Sequence, residues 1–300
     1  MTKVLVLGTT GMLGSVVHEW LRTDKSLRVS GTARDVAQAR ELGAGADESL
    51  QALDAERGET PNLTDVEWVV NCVGVIKPFI RDDNRDEVAR AIQVNAHFPM
   101  RLALAAEKTG TRVIQIATDC VYSGRDGCYD ERAAFDATDV YGKSKSLGEV
   151  RSPNMMHLRC SIIGPEVKGF VSLLSWFLKQ ERGASLNGYR NHLWNGVTTL
   201  HFAKLACGII KQPPAATHMQ HVIPTGDITK ANLLRSFARE FDRPDLTINE
   251  VDAPTVIDRR LRTAHAEANA ALWRAAGYAE PPTVETMVRE VGEYQRSRRR

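Results

Sequence analysis

An apolar segment, Lys3-Val-Leu-Val-Leu-Gly8, runs directly into glycines at 8, 11 and 14 and an amphipathic stretch over 12–23. No other feature narrows the fold so far. The residues before Gly8 are apolar on both alternating sets, as a strand covered on both faces must be. Glycines three apart at a strand-to-helix junction meet three steric needs. The first makes the tight turn, the second lets backbone approach a ligand, and the third packs helix on strand. The next 150 residues keep this rhythm. Apolar runs at 28–33, 66–74, 111–118 and 155–163 alternate with helical patterns at 84–109 and from about 139. Apolar strands separated by helices predict an α/β fold, a doubly wound parallel sheet of the Rossmann type.

After Gly164 the pattern becomes irregular. A helical stretch at 170–180, in which Trp176 and Phe177 read as core, leads into a Gly- and Asn-rich connection at 183–196. A second strong helix at 198–212, a strand at 219–224 and a helix at 229–241 precede a proline-punctuated C-terminal third. The expected organisation is a nucleotide-binding domain over 1–165, to which the helix and strand near 198–224 return. A smaller, partly discontinuous C-terminal lobe comprises 166–197 and 225–300.

Composition excludes several classes. Of 300 residues, 43% are hydrophobic and 25% charged, which argues against disorder and coiled coil. Lys and Arg number 39 against 37 acidic residues, so no global field recruits nucleic acid or a membrane. The basic end at 295–300 reads as a solvated, frayed terminus. Five cysteines, odd in number and never in a C-x-x-C pair, argue for reduced thiols and against a disulfide framework or zinc site. The N-terminus lacks a signal-peptide pattern, and no run approaches 18 apolar residues, so the expected location is the cytoplasm.

The chemistry begins at the glycines. A helix N-terminus offers free N–H donors and a partial positive charge, so Gly8, Thr10, Gly11, Met12, Leu13 and Gly14 form a candidate dinucleotide site. NAD sites usually carry a carboxylate at the end of the second strand. Here Arg34 stands at that place, followed by Asp35. A guanidinium can fork onto a 2′-phosphate, which favours NADP(H) over NAD(H); the alternative is an ordinary surface arginine. Tyr141 and Lys145, four apart on an expected helix, project from one face. A neighbouring ammonium lowers a phenol's pKa and would give Tyr141 acid–base character.

Taken in order, Gly8-x-x-Gly11-x-x-Gly14, "NCVG" (71–74), "VNA" (94–96), "ATDCVYSG" (117–124), "YGKSK" (141–145) and "LRCSIIGPE" (158–166) resemble an extended short-chain dehydrogenase/reductase. Within that superfamily the chain is most similar to dTDP-4-dehydrorhamnose reductases and related nucleotide-sugar reductases. The resemblance implies a catalytic set of Thr118, Tyr141 and Lys145, with Lys145 also on the nicotinamide ribose. Cys72, Val73, Gly74, Asn95 and Ser161 would join the cofactor site. Asp119 and Cys120 would face a nucleotide-sugar substrate, and Trp194, in the connection, could reach it too. The implied reaction is NADPH-dependent reduction of a 4-keto-6-deoxy sugar nucleotide in polysaccharide biosynthesis. A nucleotide-sugar epimerase or epimerase/reductase is one alternative. Another is a non-catalytic NADP-binding regulator like the methionine adenosyltransferase β subunit. A homodimer is compatible with either.

Cys120 departs from the related dehydratases, which usually carry a glutamate there, so dehydration is not expected. No metal site is expected. His218 and His221 would point to opposite faces of a strand. Arg159 is open to a structural ion pair or a substrate contact; Asn71 and Asn95 stand where the resembled family orders backbone and cofactor, and either could instead be a turn or capping residue.

Overall fold

The computed structural model of the protein describes residues 1–41, 50–215 and 218–298. Strand β1 (Thr2–Leu7) is an inner strand of a seven-stranded sheet. The other strands are β2 (Leu27–Ala33), β3 (Leu50–Ala52), β4 (Trp68–Asn71), β5 (Arg112–Ala117), β6 (Met155–Arg159) and β7 (Met219–His221). Their order is β7-β6-β5-β4-β1-β2-β3, and every pairing is parallel.

Alternation along β1 explains why both faces are covered. Val4 and Val6 enter one core with Val16, Val17 and Leu21 of α1 (Met12–Arg22). Leu5 and Leu7 enter another core, on the opposite face, with Phe98, Leu102 and Ala106. Each such side chain contributes about 1.5–3 kcal/mol when fully buried. The short helix α2 (Val36–Glu41) follows β2. The stretch expected to hold one or two helices forms α3 (Arg85–Ile92), a π turn at Gln93–His97 and α4 (Phe98–Thr109). Asn84 caps α3 by accepting from the Asp86 and Glu87 N–H groups, and Gly110, at φ +74°, ends α4. Helix α5 (Val140–Leu147) follows the polar loop after β5.

The register determines where the functional loops emerge. Leu7 pairs with Thr32 and Asn71, Asn71 with Gln115, and Ala117 with Arg159. The carboxyl ends of β1, β2, β4, β5 and β6 therefore open on one edge. Successive strands run outward in opposite directions from β1 and β4, so a crevice forms there.

Beyond β6 the chain carries α6 (Leu173–Leu178), α7 (Thr199–Lys211), α8 (Lys230–Glu240), α9 (Ala266–Ala275) and α10 (Val284–Arg298). Helix α7 packs on α1, and β7 pairs with β6. Several local expectations need correction. The apolar run 155–163 is not one strand: β6 ends at Arg159, and Ile162–Ile163 pair instead with Val197–Thr198. The connection expected at 183–196 contains a strand, Ser185–Tyr189, parallel to Thr247–Val251. Gly188 permits it to approach α8, because a Cβ there would stand 2.6 Å from the Ala231 Cα. Trp176 is exposed, whereas its neighbour Phe177 is buried. Residues 295–298 are helical and exposed from 296 on, with Arg298 paired to Glu19 at 2.6 Å, while 299–300 of the expected frayed terminus lie outside the described residues. No helix among the described residues is long and apolar enough to cross a membrane.

Candidate active site

The glycine turn closes as its spacing requires. Gly8 sits at φ +82°, where a side chain would be strained, and its N–H donates to Thr32 Oγ1 at 3.2 Å. A Cβ on Gly14 would lie 2.1 Å from the Gly8 carbonyl oxygen, so α1 can lie on β1 only with glycine there. Gly11 is the N-cap of α1 and supplies no side-chain cap, which leaves the first-turn N–H groups and the positive dipole end facing outward.

That helix end forms one wall of a cleft of about 830 Å³ at the carboxyl edge of the sheet. Gly8, Thr10, Gly11, Met12, Leu13, Arg34, Cys72, Val73, Gly74 and Ser161 line it, together with Thr118, Asp119, Cys120, Tyr141, Lys145 and Trp194. Gly14 and Asn95, expected in the cofactor site, do not line it. Gly14 works at the helix–strand contact. Asn95, buried in the π turn, accepts from the Val75 N–H at 2.9 Å and donates to Val75 O and Ser144 Oγ, tying the β4 loop to α5. Asn71 turns the same loop by accepting from the Val73 N–H and donating to Gln115 Oε1.

Thr118 ends β5 and opens a tight turn by accepting from the Cys120 N–H at 3.2 Å. Its hydroxyl donates to Asp119 Oδ1 at 3.3 Å and shares the cleft with the Tyr141 side chain. Asp139 caps α5 through the Gly142 N–H at 2.7 Å while pairing with Lys77 at 2.7 Å, which fixes the helix that presents Tyr141. Burial raises the Tyr141 pKa above that of a free phenol, and the neighbouring Cys120 adds to the effect. This corrects the expectation that Lys145 lowers it. The Lys145 ammonium instead donates to Ile116 O at 3.1 Å. Burial brings Lys145 down to about 8, against a smaller opposing pull from Glu149. At neutral pH, Tyr141 is therefore a protonated group, equipped to give a proton.

Around this pair lies a charge group that the sequence did not reveal. Burial raises the Asp119 carboxyl, opposed by Arg259 and Lys230. Burial pushes the Cys120 thiol up to about 12, and Asp119 reinforces the shift. Lys230, the first residue of α8, lines the cleft over the Trp194 ring, 5.5 Å from its centroid. Burial lowers it to about 8. Trp194 donates to Ser161 Oγ at 2.8 Å. At the β2 end, Arg34 is paired with Glu56 at 2.9 Å. Lys230 and Glu56 both went unnoticed because their sequence contexts are an ordinary helix start and a polar turn.

Arg159 proves structural. It is fully buried, ion-paired to Glu149, and donates to Tyr122 OH at 2.6 Å. His221 joins that network and His218 packs on His157. No cluster able to hold a metal occurs among the described residues.

Fold and cleft together are those of an extended short-chain dehydrogenase/reductase. Within that class the chain belongs to the family described as the RmlD substrate binding domain, whose profile matches residues 1–295. A dTDP-4-dehydrorhamnose reductase from Clostridium acetobutylicum superposes with a TM-score of 0.72 at 18% identity, covering 98% of this chain and 100% of that one. The Bacillus anthracis enzyme of the same name, in complex with NADP, gives 0.72 at 15% identity with the same coverage. A UDP-glucuronic acid 4-epimerase from Bacillus cereus, bound to UDP-glucuronic acid and NAD, gives 0.71 at 14% identity, covering 99% of each chain. The zebrafish (Danio rerio) methionine adenosyltransferase 2 subunit beta is 31% identical over 170 residues, 55% of this chain. The match spans about half of that relative, 49% of its length.

Proposed function

We propose that the protein is an NADPH-dependent reductase of a nucleotide-linked 4-keto-6-deoxy sugar. The observation that carries this reading is that Thr118, Tyr141 and Lys145 line the same cleft as an uncapped helix N-terminus and its glycine turn. That turn suits a dinucleotide pyrophosphate, because side chains at Gly8 or Gly14 would obstruct it. The cofactor supplies hydride to the carbonyl carbon. Tyr141 gives its phenolic proton to the carbonyl oxygen, Thr118 holds that oxygen, and Lys145 binds the nicotinamide ribose. The carbonyl would thereby gain one hydride and one proton, two electrons and two hydrogens in all, and become the alcohol. Asp119 and Trp194 face the sugar. Cys120, with its thiol near 12, cannot serve as the base of a dehydratase.

The test is product mass with NADPH deuterated at the transferred position. A 4-keto-6-deoxy nucleotide sugar should gain one deuterium and one hydrogen with stoichiometric NADPH oxidation. Loss of water from a 4,6-dihydroxy hexose nucleotide, without net cofactor consumption, would overturn the proposal. A second reading, a dinucleotide-binding regulatory subunit, draws on the 31% match to the methionine adenosyltransferase subunit. Tight NADPH binding with no turnover across a panel of keto-sugar nucleotides and epimerisable hexoses would favour it.

A further inference from the structure

The β2 end of the cleft contains opposed charges. Ala33 pairs with Ala52, so the loops after β2 and β3 leave the sheet side by side. Arg34 heads the first loop, Glu56 stands in the second, and both line the cleft. Arg34 Nη1 lies 2.9 Å from Glu56 Oε1. The backbone under Glu56 is pinned, because its N–H donates to Asp54 Oδ1 at 2.9 Å. A second cation reaches this end from another part of the chain. Lys168, in the segment after Ile162–Ile163, also lines the cleft and donates to Gln38 Oε1 on α2 at 3.1 Å. The guanidinium that would take a 2′-phosphate is thus already shared with a carboxylate.

We propose that Glu56 sets the choice between the two nicotinamide dinucleotides, an inference that rests on the dinucleotide reading of the cleft. The carboxylate acts in opposite directions on the two ligands. A 2′-phosphate gains charge-assisted bonds from Arg34 and Lys168, but it must compete with Glu56 for Arg34 and bear a like charge beside it. An unphosphorylated ribose brings two hydroxyl donors, for which a carboxylate is the usual acceptor. Glu56 therefore weakens NADPH, supports NADH, and narrows the gap that Arg34 alone would open. The Arg34 side chain is 62% exposed and that of Glu56 36%, so solvent and salt screen the effect.

The experiment titrates wild type, Glu56→Gln and Arg34→Ala with NADPH and with NADH by nicotinamide fluorescence, at low and high salt and without sugar. Glutamine keeps the shape of Glu56 and removes its charge. Glu56→Gln should tighten NADPH and weaken NADH, raising the affinity ratio by roughly three- to tenfold, the range of partly exposed charge pairs. The gain should shrink at high salt. Arg34→Ala should move the ratio the other way. A ratio within twofold of wild type in Glu56→Gln, or equal weakening of both dinucleotides, would overturn the assignment while leaving the dinucleotide site intact. Failure of wild type to bind either dinucleotide would overturn both together.

Discussion

Tyr141 holds its proton because burial disfavours the phenolate. Removing the hydroxyl while keeping the ring tests its role. Tyr141→Phe should lower turnover by roughly 10²–10⁴, the range for a positioned acid, with NADPH affinity unchanged. Retention of more than half the wild-type rate would exclude Tyr141 as the donor. Lys145 supplies a pH test. Burial depresses it to about 8, so its charge is complete below that pH and is lost as pH rises through it. If the ammonium grips the nicotinamide ribose, dinucleotide affinity should decline above about pH 8, and Lys145→Met should bind weakly at every pH with no such decline. Equal slopes in the two proteins would place the titrating group elsewhere. Thr118, Tyr141 and Lys145 were legible in the sequence because each falls within a short motif with its own spacing. Lys230 was not: only the pairing of Ile228–Thr229 with Leu193–Trp194 carries it over the Trp194 ring.

At the scale of elements, two glycines of one turn should behave differently. A Cβ on Gly14 meets the Gly8 carbonyl oxygen at 2.1 Å, and this backbone atom cannot swing away. On Gly11 the same oxygen is 3.4 Å off, an ordinary contact. Alanine in a helix interior gains about 1 kcal/mol over glycine, but forcing α1 off β1 costs about 1–3 kcal/mol or more. Gly14→Ala should therefore lower the urea midpoint, and Gly11→Ala should fold normally yet bind dinucleotide less well. The opposite ordering of midpoints would show that the helix can slide. The turn could be read in the sequence because its sterics are local. The break after Arg159 could not, since Cys160 and the isoleucines suit a continuing strand and only the register with Val197–Thr198 redirects them. Nor could the strand Ser185–Tyr189, whose partner lies 62 residues later in register.

Across the whole molecule, buried imidazoles couple sheet and outer loops in one protonation state. His221 Nδ1–H donates to Arg262 O at 2.7 Å, so its Nε2 is the acceptor for Arg159 Nη1 at 3.0 Å and the ring is neutral. Glu131 accepts from the His221 N–H and from Thr263, fastening β7 to the 261–265 segment. On the neighbouring strand, His157 donates to Val150 O at 2.9 Å. Burial takes His221 down to about 4 and His157 to about 3. In the unfolded chain both titrate near 6.5. The unfolded state thus binds more protons below that pH, so their contribution is complete above about 6.5 and is lost as pH falls towards the folded values. Each ring should remove about 1.4 kcal/mol per pH unit in that window. Asp119 and Glu149, raised by burial, take up protons in the folded state and oppose the trend, so a bare stability curve is ambiguous. The difference between wild type and His157→Gln removes that ambiguity, since glutamine can still donate to Val150 O but cannot titrate. Urea midpoints at pH 7.5, 6.5 and 5.5 should fall more steeply for wild type than for the variant. Parallel lines would mean that His157 protonates in place, and its depressed pKa would have to be abandoned.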